Sequence, residues 1–236
     1  AVELLVERAR RVRPNLVLDE ANVASIAEIT RRLDGLPLAI ELAAARLRVL
    51  SPEDLLDRLE HRLDSLSASA PDMPGRHRTL RQAIAWSHDL LGEEEQIVFR
   101  RMSVFAGGAG LEASEAVCGG EDIDTARILD IVADLVDKSL VVSGGDLGLG
   151  QTRLFLLETM REFAAEQLLA SGETEATWDR HLEWSVALAR RAWDRLLTAD
   201  EVAWLDVLER EHDNLRSALD HAHGAGDTSS GLRIGH

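Results

Sequence analysis

Gly35-Leu36-Pro37-Leu38 is the one short stretch of this sequence whose residue types and spacing suggest a contact beyond the chain's own packing. Glycine accepts the left-handed conformation that ends a helix, and proline can open the next helix, where its missing N–H costs nothing. The tetrapeptide is then a rigid helix-to-helix corner. Two readings stay open. The corner can be purely structural, or Pro37, with Leu36 and Leu38 as neighbours, can form an apolar wall for a flat ligand. Elsewhere the chemistry is sparse. The eight histidines show no two-ligand spacing with a third partner in view, and each reads as a surface or core-edge residue. His88-Asp89 and His212-Asp213 are adjacent, but in a helix such neighbours point in different directions. The single cysteine, Cys118, excludes an internal disulfide and a cysteine-based metal cluster and fits a reducing compartment. No GxxxxGK[ST], no HExxH and no GxSxG occurs, and no apolar strand ends in paired acids. The chain therefore offers no phosphate cradle, no Mg²⁺-binding hydroxyl and no hydrolytic nucleophile. Neither a catalytic nor a metal-binding residue is expected.

The elements that position the corner are helical. Val2, Leu5, Val6 and Ala9 predict a first helix, broken at Arg13-Pro14-Asn15. A second, from Ala21 to Leu33 with Asp19 as its cap, carries a stripe of Val23, Ile26, Ile29 and Leu33. Pro37 opens a third, narrow because of Ala39 and Ala43-Ala44-Ala45. Ser51-Pro52-Glu53-Asp54 opens a fourth, with serine capping and a carboxylate three residues on. Residues 65 to 78 are the most linker-like stretch and mark a domain boundary.

Leu80 to Ala170 reads as a small domain. Helical patterns run over Leu80–Leu91 and Glu93–Met102, then pause at Gly107-Gly108. A short helix over Leu111–Val117 and a longer one over Asp124–Asp137 follow. Two extended runs, Ser139–Ser143 and Arg153–Leu156, flank a Gly-rich turn, and Glu158–Ala170 closes the domain. This is the order of a winged helix-turn-helix, a shape that binds DNA in some proteins and builds interfaces in others. Two further helices, Glu175–Leu197 and Val202–His221 with Asp200 as cap, form an αα-hairpin that resembles the first unit of a helical array. The Gly/Ser/Thr-rich end should be loose.

Acidic residues outnumber Lys and Arg by 42 to 26, a net charge of −16, which argues against sequence-independent nucleic-acid binding. The helix in the DNA-reading position is itself acidic: from Glu121 to Lys138 six acids, Glu121, Asp122, Asp124, Asp130, Asp134 and Asp137, stand against two bases, Arg127 and Lys138. Arg76, Arg78, Arg81, Arg100 and Arg101 are expected to pair within the protein or to form a solvated face. No run of 18 apolar residues exists and no signal-peptide pattern opens the chain. It starts within a helical pattern and without methionine, as a fragment of something longer would.

Several runs, in order, resemble one family. Arg31 to Arg46, containing Gly35-Leu36-Pro37-Leu38, looks like the GLPL segment of the NB-ARC, or STAND, class of signal-transduction ATPases, closest to its bacterial transcriptional regulators. The resemblance continues through Ser51–Leu56, Thr79–Leu91, Phe99–Gly108, Leu135–Val141, Leu156–Ala164 and Glu211–Leu219. It implies a mainly α fold divided into residues 1–66, the end of a nucleotide-binding domain with the small helical domain behind it; 75–171, a winged helix; 175–221, the start of a tetratricopeptide-like sensor region; and 222–236, a loose tail. Pro37 would inherit the place against adenine, with Leu36 and Leu38 beside it. ADP or ATP would bind only together with an upstream nucleotide-binding portion. The implied partners are that domain, further copies of the protein, and a protein or small-molecule inducer on the helical repeats, all in the cytoplasm, without a membrane and without direct nucleic-acid contact by this segment.

One departure stands out. Many relatives begin the last winged-domain helix with Met-His-Asp, whose histidine touches the ADP phosphate. Here Leu157 occupies the histidine position, and its own bland expectation is core packing. The leading expectation is a regulatory, non-catalytic segment of an ATP/ADP-gated switch. The alternative is a nucleotide-independent helical and winged-helix interaction scaffold, and a third is a DNA-binding winged helix.

Overall fold

The computed structural model describes residues 1–14, 20–33, 35–66, 75–144, 152–196, 198–227 and 234. The protein is mainly α-helical, with a short two-stranded antiparallel hairpin among the described residues. It divides into two compact units, Ala1–Gly92 with Asp134–Leu140, and Glu93–Ala133 with Val141–His236.

The first unit holds α1 (Val2–Val12), α2 (Glu20–Arg32), α3 (Pro37–Arg46), α4 (Pro52–Leu66) and α5 (Gly75–Asp89). Helix α3 lies against α1 and α5, and α2 against α4. Its alanines allow this close approach: Ala39, Ala43 and Ala44 are buried along with Leu5, Ala9, Ile40, Leu42 and Ile84. The stripe expected on α2 is buried at Ile26, Ile29 and Leu33, while Val23 remains exposed. Ser51 caps α4 as expected, its Oγ accepting from Asp54 N–H at 3.0 Å. The cap expected of Asp19, and the linker at 67–74, lie outside the described residues.

The second unit contains α6 (Glu93–Arg101), a 3-10 turn (Met102–Val104), α7 (Leu111–Cys118), most of α8 (Ile128–Asp137), β1 (Val142–Gly144), β2 (Arg153–Phe155), α9 (Glu158–Ser171), α10 (Thr174–Trp193) and α11 (Glu201–Ala225). Val142 pairs with Phe155 and Gly144 with Arg153, and Ala109 bridges Leu154 on the other side. Helices followed by this hairpin and a closing helix are a winged-helix-type arrangement. Helices α10 and α11 pair with each other, and α10 also packs on α7.

Three local expectations are corrected. Ser139 does not begin the first extended run: at φ 58 it ends α8, and Leu140 N–H reaches back to Leu135 C=O at 3.0 Å. Asp200 precedes α11 without a side-chain cap, because its carboxylate accepts from Arg195 at 3.1 Å instead. Leu157 is not core. It precedes α9 and is 41% exposed.

Candidate functional site

The Gly35–Leu38 corner forms as glycine and proline chemistry requires. Gly35 adopts φ +65, its N–H reaching Thr30 C=O at 3.1 Å, and Leu36 N–H bonds Leu33 C=O at 2.9 Å. Leu36 then turns extended, at φ −67 and ψ 121, and Pro37 takes the first position of α3. Pro37 is exposed, and Leu36 and Leu38 are half-buried on either side. These three residues share a corner. They do not line the cleft of about 380 Å³ in the same unit, whose walls include Arg8, Arg11, Val12, Glu41, Ala44 and Ser139. Arg8 and Glu41 neutralise each other there at 3.0 Å. No group of three or more metal-capable side chains occurs among the described residues. No nucleotide-binding or catalytic motif is present in the chain.

In the second unit the strongest polar construction joins the wing to the last helix. Arg153 opens β2 and is 6% exposed. Its Nη1 donates to Glu211 Oε1 at 2.5 Å and its Nη2 to Oε2 at 3.1 Å. Its Nε donates to Gly107 C=O at 2.7 Å, and Nη2 also reaches the carbonyls of Gly108 at 3.0 Å and Arg210 at 3.2 Å. Asn214, one helical turn beyond Glu211 and fully buried, donates to Gly108 C=O at 2.9 Å and to Glu211 Oε2 at 2.7 Å. The bidentate pairing is the geometry at which a guanidinium and a carboxylate bond most strongly. Gly108 makes the approach possible: at φ +74, an added Cβ would lie 2.6 Å from Leu154 O and from the Phe155 ring.

A second junction ties the end of α6 to the turn before α10. Arg101, 2% exposed, donates through Nε to Glu173 at 2.9 Å, through Nη2 to Asp122 at 3.0 Å and through Nη1 to Cys118 C=O at 2.9 Å. Arg100 also bonds Glu173. Burial opposes the charge on Glu173, but the two guanidiniums win and hold its carboxyl below the ordinary range. Arg100 and Arg101 thus pair within the protein, as expected. The side chains of Arg76 and Arg78 lie outside the described ones. Burial pushes the Cys118 thiol up to about 12, so it stays a neutral, packed group.

Helix α8, in the position that reads DNA in many winged helices, buries Ile128, Ile131, Val132 and Leu135. It exposes Leu129, Asp130, Ala133 and Asp134. Asp137 pairs with Arg48 at 3.1 Å, and Arg127, just before the helix, pairs with Glu94 at 2.6 Å.

Sequence reasoning missed Arg153, Glu211 and Asn214 as one site. Two signals existed. Arg153 is a lone charge at the start of the apolar run Arg153–Leu156, and Glu211 and Asn214 are spaced to share one helix face.

No family model matches the chain. Over 234 residues, 99% of its length, it is 43% identical to a Mycobacterium tuberculosis protein and to a Mycobacterium bovis protein, each bearing the name of an HTH-type transcriptional regulator. It spans only 26% of either. An uncharacterized Mycobacterium tuberculosis protein is 41% identical over 182 residues, which are 77% of this chain and 46% of that protein. By fold and by these similarities, the chain carries a winged-helix domain like that of a transcription regulator.

Proposed function

We propose that this chain is a protein-interaction segment of a larger transcription regulator, working as a winged-helix and helical-hairpin scaffold without a nucleotide of its own. The observation that carries this reading is the fate of Arg153. A winged helix that grips DNA offers cations from its wing to phosphates. Here the wing's arginine is committed to Glu211 and to three backbone carbonyls. The exposed face of α8 adds Asp130 and Asp134, which repel a duplex. What the unit offers instead is a wing fastened to a pair of helices, a shape suited to relaying a docking event. The regulator's DNA contact then belongs to another part of the larger protein.

Fluorescence anisotropy with mixed-sequence duplex at low salt tests this. No saturable binding is expected, and a steeply salt-dependent affinity would return the unit to the DNA-binding class.

A second reading is favoured by the exposure of Pro37 between two half-buried leucines. In it, Leu36, Pro37 and Leu38 form the adenine-side wall of an ATP/ADP-gated switch whose phosphate cradle lies upstream, residues 75–171 act as its clamp, and 175–221 begin an inducer-sensing array. Calorimetric titration of ADP into this chain and into a longer one carrying the upstream region separates the two readings. Binding by the longer chain, lost on Pro37→Asp, supports the switch; no binding by either supports the scaffold.

A further inference from the structure

Three guanidiniums, those of Arg100, Arg101 and Arg180, converge around the end of α7, and two carboxylates answer them. Glu173 serves Arg100 and Arg101, and Asp122 serves Arg101. Arg180 pairs with neither. Its Nε donates to Val117 C=O at 2.9 Å and its Nη2 to Thr177 Oγ1 at 3.2 Å; among the described residues nothing accepts from its Nη1. Capping α7 accounts for part of this, because cations suit the carbonyls at a helix C-terminus. It leaves Arg180 without a direct ion pair among the described residues, with Glu173 and Asp122 acting on it only at longer range. Partial burial, and after it the Arg101 guanidinium alongside, lower the pKa of Arg180 from its ordinary value, and the opposing pull of Cys118, Glu173 and Asp122 does not fully offset them.

The adjoining turn leaves room for a counter-ion. Gly119 is dictated by sterics, since a Cβ there would lie 2.7 Å from Glu115 O and 2.9 Å from Thr125 Oγ1. Gly120 is not. A Cβ on it would lie 3.7 Å from Arg180 Nη1 and 3.8 Å from Arg101 Nη1, ordinary contacts, and its φ is not positive. Gly120 is exposed, and its lack of a side chain keeps open the space next to Nη1 of Arg180 and Nη1 of the buried Arg101. We propose that this space at Gly120, between Arg101 and Arg180, is a binding site for a phosphate-type oxyanion, either free phosphate or a small phosphate ester. A tetrahedral anion with several acceptor oxygens can bridge two guanidiniums, which a single carboxylate oxygen cannot do as well. Occupancy would tie together α6, α7 and α10, the elements that join the winged helix to the helical hairpin.

The test is calorimetric titration of inorganic phosphate, and separately of glycerol phosphate, into the 236-residue chain, with chloride holding ionic strength constant. Saturable binding of either is expected, and comparison of the two tells free ion from ester. Arg180→Gln should weaken it by about ten-fold. Gly120→Asp places the protein's own carboxylate in the space. It should raise the melting temperature and abolish the phosphate response while leaving the cap on α7 intact, so it decides the matter even where Arg180→Gln folds poorly. Asp122→Asn removes a competing anion and should tighten binding several-fold. Heat no greater than that of chloride, or equal affinity in the Gly120→Asp chain, overturns the proposal.

Discussion

Arg153 and Glu211 stand 58 positions apart in the chain and yet form a bidentate, nearly buried ion pair. Their side chains are 7% and 10% exposed, so neither charge can fall back on water when the other is removed. Glu211→Ala should therefore cost about 3–5 kcal/mol in urea denaturation, most of it the penalty of an orphaned guanidinium. The double change Arg153→Met with Glu211→Leu should cost clearly less than Glu211→Ala alone. Equal losses would mean that the carbonyl contacts, and not the pair, hold the wing. Gly108 gives a companion contrast. Gly108→Ala combines a positive φ with a 2.6 Å clash and should cost about 2–4 kcal/mol. Gly172→Ala has φ +77 but nothing within 4 Å, and should cost about 1 kcal/mol. A comparable loss at both glycines would show that backbone strain alone sets the cost.

Among the elements, α10 carries an anomaly that pH can read. His181 is wholly buried, with the rings of Phe105 at 5.3 Å, Trp178 at 5.4 Å and Trp184 at 5.9 Å. Neither of its ring nitrogens, nor Ser185 Oγ one turn on, has a hydrogen-bond partner in the structure. Burial, and secondarily His221, lower its pKa to about 4 from 6.5. The folded state thus keeps His181 neutral while the unfolded chain takes up a proton below pH 6.5. Stability should fall as pH drops from 6.5 toward 4, by on the order of 3 kcal/mol, and this contribution should level off below that. Glu173, with its pKa lowered, loses its contribution only below the ordinary carboxylate range, so from pH 6.5 to 5 it does not mask that of the histidine. His181→Phe should flatten the stability profile across that window; an unchanged slope would assign the loss to other groups. The elements themselves were largely legible in the sequence. Periodicity located the helices, and serine, glycine and proline chemistry located the start of α4 and the corner at Pro37. Ser139 and Asp200 were misread because a left-handed serine and an Arg195 partner leave no local trace. His181 was one of eight scattered histidines until α10 was set against Phe105.

In the second unit as a whole, the winged helix does not end where its own sequence pattern does. Phe105 meets Trp184 edge-on at 6.1 Å, Arg180 caps α7, Glu173 holds Arg100 and Arg101, and Glu211 with Asn214 holds the wing and the Gly107-Gly108 loop. None of these ties could be read from one-dimensional spacing, because each joins residues dozens of positions apart. The sequence instead suggested a boundary at Gly172, where the backbone does turn left-handed. A chain stopped after Gly172 would keep every residue of the winged-helix pattern but would expose Phe105, take Glu173 away from Arg100 and Arg101, and leave the Arg153 guanidinium without its carboxylate. Removing several buried partners together should cost more than the ~5–15 kcal/mol by which a domain is ordinarily stable. The shortened chain should therefore lose protection of the α6, α7 and β2 amides in hydrogen exchange, while α1 to α5, which pack on one another within the first unit, keep theirs. Retained protection across β2 would show that the winged helix folds by itself and that the α10–α11 pair is only an attachment.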